Sequence, residues 1–169
     1  MNLMKSPSKR SALSVITAAW LLFVLSFCLP ATSVLSDGRA MLESPLAGWQ
    51  TMNASTAVIL LFPFLWTADP QILLIAIFPL ANWLMLSTPL LVLALRDKSA
   101  FLVLLLLPCA LLPWFLPKTV IGTPFMGFYA WNISFFAMIG GCVLATIAYA
   151  AIENAWYTEW KTSNSQSSR

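Results

Sequence analysis

Apolar residues run along this chain in long unbroken blocks, where a soluble protein would interleave them with polar ones. Such blocks predict membrane-crossing helices, because a hydrocarbon core of about 30 Å needs about 20 apolar residues at 1.5 Å of rise each. Four blocks reach or approach that length: Ala12–Leu29, Leu73–Leu95, Ser99–Leu116 and Phe128–Ala151. Between the first two lies a polar stretch, Thr32–Gln50, that carries Asp37, Arg39 and Glu43. A shorter apolar run, Ala57–Trp66, follows it and is interrupted by Pro63. Its roughly ten residues reach only about 15 Å as a helix, so it suits a re-entrant or interfacial position better than a span.

The expected fold is therefore all-α, a polytopic membrane helix bundle with four transmembrane helices plus one re-entrant or interfacial apolar segment. Residues 1–11 form a cytoplasmic N-terminus, 12–151 the transmembrane helical domain, and 152–169 an interfacial helix with a disordered cytoplasmic tail. In that last part Ile152, Ala155, Trp156 and Trp160 recur at helical spacing, with Glu153, Asn154 and Thr158 on the other side. This is the pattern of a helix lying at the membrane surface. The Ser-rich Thr162–Arg169 is expected to stay disordered.

Composition sharpens the class. Hydrophobic residues make up 60% of the 169 and charged residues 9%, against about a quarter charged in soluble domains. Lys5, Lys9 and Arg10 precede the first apolar block as they would in a signal peptide. That block is longer than the roughly 7–15-residue core of such a peptide, so it is expected to be a retained first span. The net charge of +3 is small and its basic residues are scattered, so nucleic acid is not an expected partner.

The basic residues also choose an orientation. Four spans with the N-terminus inside place Lys5, Lys9, Arg10, Arg96, Lys98, Lys161 and Arg169 in the cytoplasm, and Arg39 and Lys118 outside. A fifth span at Ala57–Trp66 would leave four basic residues inside and five outside. The positive-inside rule selects four spans, with both termini cytoplasmic, in the inner (plasma) membrane. Trp49, Trp114, Tyr129 and Trp131 then fall at the outer boundary and Trp156, Tyr157 and Trp160 at the inner one, as two aromatic belts.

Reactive chemistry is sparse. The chain has no histidine, which removes the usual general base, Ser-His-Asp catalysis and most catalytic zinc sites. Cys28, Cys109 and Cys142 stand apart in apolar stretches, suited to packing and not to a disulfide framework or a metal site. No cofactor and no metal are expected. No ionisable side chain lies deep in a predicted span, whereas proton-coupled carriers and intramembrane proteases normally need one.

Candidate functional residues are correspondingly few. Asp69 would face a polar cavity if the Ala57–Trp66 run re-enters the membrane; otherwise it is an Asp-Pro turn capping the second span. Asn82 lies about 14 Å into that span, and Asn132 and Ser134 lie near the start of the fourth. Together with Asp69 these residues make up a candidate polar pocket, or they hydrogen-bond between helices. Pro79, Pro89, Pro108 and Pro113 release the carbonyls of Ile75, Met85, Leu104 and Cys109, and Asn82, Ser87 and Thr88 stand near enough to re-satisfy them. Ser134, Ala137, Gly141, Ala145 and Ala148 form a stripe of small side chains on one face of the fourth span, a helix-packing face widened by Gly140. Its occupant could be internal or a partner.

The words Leu25-Ser26-Phe27-Cys28-Leu29-Pro30-Ala31, Gly48-Trp49-Gln50, Leu80-Ala81-Asn82-Trp83 and Gly127-Phe128-Tyr129-Ala130-Trp131 resemble sparse markers of small, functionally uncharacterised polytopic bacterial inner-membrane proteins. The stretch between Trp49 and Asn82 is long for that pattern. The resemblance implies an inner-membrane location and no activity.

Three functions fit this reading. One is a non-enzymatic accessory or interaction subunit, with the lipid bilayer and a membrane-protein partner or second copy meeting it through the fourth helix. The second is a small transporter or pore component that uses the kinked spans and Asn82. The third is a membrane enzyme or lipid-binding factor centred on Asp69.

Overall fold

In a computed structural model, residues 8–33, 46–50, 53, 56–57, 70–115 and 123–167 are described. Four helices dominate: α1 (Lys9–Ser26), α2 (Pro70–Leu95), α3 (Phe101–Phe115) and α4 (Met126–Ser167). Three are long and apolar enough to cross a membrane, within Lys9–Ser26, Phe78–Lys98 and Met126–Lys161. The fourth, α3, is a 15-residue apolar helix, about 22 Å long at 1.5 Å per residue. The Ala57–Trp66 run lies outside the described residues except for Ala57, which is helical.

Ser8 caps α1, its hydroxyl accepting from the Ser11 amide at 3.2 Å. The buried positions of α1, Ala12, Ile16, Ala19, Phe23 and Ser26, alternate steps of four and three residues. On α4 the buried Ser134, Met138, Gly141, Ala145 and Ala148 repeat the same steps. Two such seams interlock as knobs and holes, and α1 is the helix against which α4 packs most extensively.

The pair runs antiparallel in a regular ladder. The Lys9 ammonium lies 5.0 Å from the centre of the Tyr149 ring. A Cβ on Gly141 would stand 2.6 Å from Ile16 Cγ1. Phe23 and Phe135 meet edge to face at 6.1 Å. At the top, a Cβ on Gly127 would fall 2.7 Å from the Pro30 carbonyl oxygen. Only glycine allows that backbone contact.

Beyond α1 the chain forms β1 (Pro30–Ser33), paired antiparallel with β2 (Leu46–Ala47) on one side and β3 (Thr123–Pro124) on the other. The sequence pattern gave no hint of these short strands. They satisfy backbone groups where helices end, and the Phe125 amide donates to the Ala31 carbonyl at 2.9 Å beside them. At the opposite end, α2 passes through a tight 3-10 turn, Arg96–Lys98, into α3. Arg96 there holds a left-handed backbone with φ of 49°, and the buried Ser99 returns both its amide and its hydroxyl to the Arg96 carbonyl.

Residues 152–167, expected to form an interfacial helix and part of the tail, continue α4, which runs unbroken for 42 residues to Ser167. At about 63 Å it is twice the thickness of a hydrocarbon core. No proline and no glycine follows Gly141, so nothing in the sequence breaks the helix where its apolar character ends. Trp131, expected in an outer aromatic belt, is instead buried at 8% exposure, between Phe78, Phe128 and Phe135.

Candidate functional site

The uncharged polar residues inside the bundle converge on the first turns of α4. Trp131 Nε1 donates to Asn82 Oδ1 at 2.7 Å and so ties α4 to α2. Its neighbour Asn132 turns to α3, where it makes two bonds. Asn132 Nδ2 donates to the Ala110 carbonyl at 2.8 Å, and Trp114 Nε1 donates to Asn132 Oδ1 at 3.1 Å. Asn132 therefore clamps the last turn and a half of α3. The carbonyl it meets is next to that of Cys109, which Pro113 deprives of its amide partner.

Ser134 Oγ donates back to the Trp131 carbonyl at 2.5 Å within its own helix. The three residues Asn82, Asn132 and Ser134 are buried at 5%, 3% and 0% exposure. Asn82 through its Oδ1, Asn132 through both amide atoms and Ser134 through its hydroxyl take part in these bonds. Asp69, the pocket's fourth candidate, lies outside the described residues. Among described side chains, the one shielded polar atom without an acceptor is Trp20 Nε1, for which the structure offers no account.

The proline-released carbonyls fare differently from expectation. Ser87 and Thr88 both donate to the Leu84 carbonyl, at 3.0 and 2.8 Å. That is one residue before Met85, whose carbonyl Pro89 leaves without its helical donor. The hydroxyls thus bond locally, as Ser and Thr in helices commonly do.

The small-residue face of α4 is occupied by α1 of the same chain. Ser134, Gly141, Ala145 and Ala148 are buried in that contact, and Ala137 lies at its partly covered edge. A second seam faces outward. Ile133, Phe136, Gly140, Val143 and Ile147 follow the same alternating spacing and are all exposed, and nothing lies within 4 Å of where a Cβ on Gly140 would be.

No group of three or more potential metal ligands occurs among the described residues. Sequence reasoning missed Trp131 as a hydrogen-bond donor to α2. The signal available was its place beside Asn132 and four residues before Phe135, on the buried side of the helix. Comparisons with protein-family models, curated proteins and solved structures return no match to this chain.

Proposed function

We propose that this chain is a non-catalytic, multi-pass membrane protein that acts as an accessory or interaction subunit and docks another membrane-embedded helix on the outward seam of α4. The observation that carries this reading is the second heptad seam, Ile133–Phe136–Gly140–Val143–Ile147. It has the spacing of the seam that already holds α1, and a glycine at its centre leaves room for a close helix backbone. A transport path along Asn82 and Asn132 draws no support from the interior, because their amides are engaged in bonds between helices.

The same reading has four spans with both termini in the cytoplasm of a plasma membrane. Two features support it. Lys9, Arg10, Arg96 and Lys98 share the end of the bundle where the 3-10 turn meets α4, as the positive-inside rule requires. Ala47, in the small sheet, and Phe78, against Trp131, both lie towards the opposite end, which favours an even number of crossings. Cysteine labelling at Ser165 from outside intact cells tests the topology; labelling there would sink the four-span arrangement.

The docking test is affinity purification from native membranes in mild detergent, with wild type and Gly140→Leu side by side. Wild type should bring down a stoichiometric membrane protein or a second copy, and Gly140→Leu should lose it at unchanged abundance. A wild-type chain that purifies alone, or a partner retained by Gly140→Leu, would remove the reading.

A further inference from the structure

At the basic end of the bundle, α4 and the turn after α2 border an open cleft of about 400 Å³ lined by Arg96, Asp97, Tyr149, Ile152, Glu153 and Trp156. Its volume is within the roughly 300–1,000 Å³ of small-ligand sites. On the proposed four-span arrangement, with Met126 at the outer boundary, Tyr149 lies 23 residues further along α4, about 35 Å at 1.5 Å per residue, which puts the cleft just beyond a core of about 30 Å. This is headgroup depth.

We propose that this cleft binds the headgroup of a zwitterionic, amine-bearing phospholipid, with its phosphate on Arg96 and its ammonium on Glu153 and the neighbouring aromatic rings. The charges in the cleft point to this chemistry. Arg96, Asp97 and Glu153 share one wall-to-wall space, and no ion pair joins them among the described residues. The lining thus carries one guanidinium against two carboxylates. A site divided in sign, with its excess on the acidic side, matches a ligand that carries an ammonium beside its phosphate. A net-anionic headgroup would meet two carboxylates against a single guanidinium.

The aromatic lining fits the same ligand. Tyr149 and Trp156 line the cleft, aromatic rings attract an ammonium group, and Trp at this depth is at home beside headgroups. Ile152 and Trp156 are 54% and 64% exposed, and they provide apolar surface where acyl chains would begin. Arg96 holds its left-handed backbone at the wall of the cleft. The inference stands apart from partner docking, since the outward seam of α4 contributes nothing to the cleft.

The test uses the full chain in lipid nanodiscs containing equal fractions of dioleoyl phosphatidylethanolamine and dioleoyl phosphatidylglycerol, released and weighed by native mass spectrometry. Wild type should retain the ethanolamine lipid over the glycerol lipid by about tenfold, the value of one charge-assisted hydrogen bond. Glu153→Gln should bring that ratio close to one, Arg96→Asn should lower the retention of both lipids, which share the phosphate, and Lys161→Gln should change neither. Asparagine is chosen at Arg96 because it tolerates a left-handed backbone; if that variant does not accumulate, Glu153→Gln on the exposed helix surface decides alone. Equal retention of the two lipids by wild type, a preference untouched by Glu153→Gln, or retention untouched by Arg96→Asn overturns the proposal. Tighter binding of soluble phosphoethanolamine than of the lipid would overturn the membrane source and assign the cleft to a soluble phosphate–amine compound.

Discussion

The first turns of α4 and its middle hold their neighbours by different means. Around Trp131 and Asn132 the contacts are directional, with three hydrogen bonds reaching α2 and α3. From Met138 to Ala148 no polar contact to another helix is needed; Gly141 and the alanines let α1 come close enough for continuous van der Waals contact. The difference follows the helices being held. α2 and α3 each have two prolines in their interior, which interrupt a smooth seam and release carbonyls. α1 contains none, so its ridge can run unbroken along α4. In a solvent that gives apolar helices no reason to associate, a regular surface can be held by close packing, whereas an irregular one needs polar ties.

The largest expected effect breaks the packed half. Gly141→Leu forces a side chain onto Ile16 and should destabilise the bundle by about 1–3 kcal/mol, the usual cost of overpacking. Gly140→Leu, one residue away and facing open space, should stay within about 0.5 kcal/mol of wild type, as surface substitutions do. Thermal unfolding in detergent, followed for the two variants together, reads the difference. Equal melting would mean that the register of α1 on α4 is wrong.

A smaller loss is expected from the hydrogen-bonded half. Asn132→Leu removes both bonds to α3 and strands the Ala110 carbonyl, while Trp114, 59% exposed, can turn its N–H elsewhere. The cost should be about 1 kcal/mol, and protease access at the end of α3 should rise while the α1 contact stays protected. Unchanged protection at α3 would show that the clamp holds nothing.

The smallest effect sharpens the comparison. A double-mutant cycle of Asn82→Leu and Trp131→Phe should give a coupling of about 0.6 kcal/mol, typical of hydrogen bonds between membrane helices. A coupling near zero would leave the aromatic packing of Trp131 on Phe135, at 4.6 Å, as the tie between the helices.

The hydrophobic blocks alone determined that this chain is helical and built of segments suited to a membrane, because no other backbone arrangement satisfies its own polar groups over such lengths except a closed barrel. The small residues of α4 were also legible, since a close helix contact requires them wherever it occurs. What the sequence left undecided was the identity of the contact. Ser134 to Ala148 could have faced a partner, and only the tertiary structure places Ile16 over Gly141. It likewise moved Trp131 from the boundary to the interior, where its N–H finds Asn82 from a helix 49 residues earlier in the chain. The β1 pairing was hidden for the same reason. Strands of two and four residues carry too little periodicity to declare themselves, and they form because the folded helices bring their ends together. The cleft at Arg96 exists only once a turn and a helix more than 50 residues apart are packed. Periodicity and solvent are local properties that a sequence carries openly, whereas the choice of which seam meets which depends on how all the helices share the space.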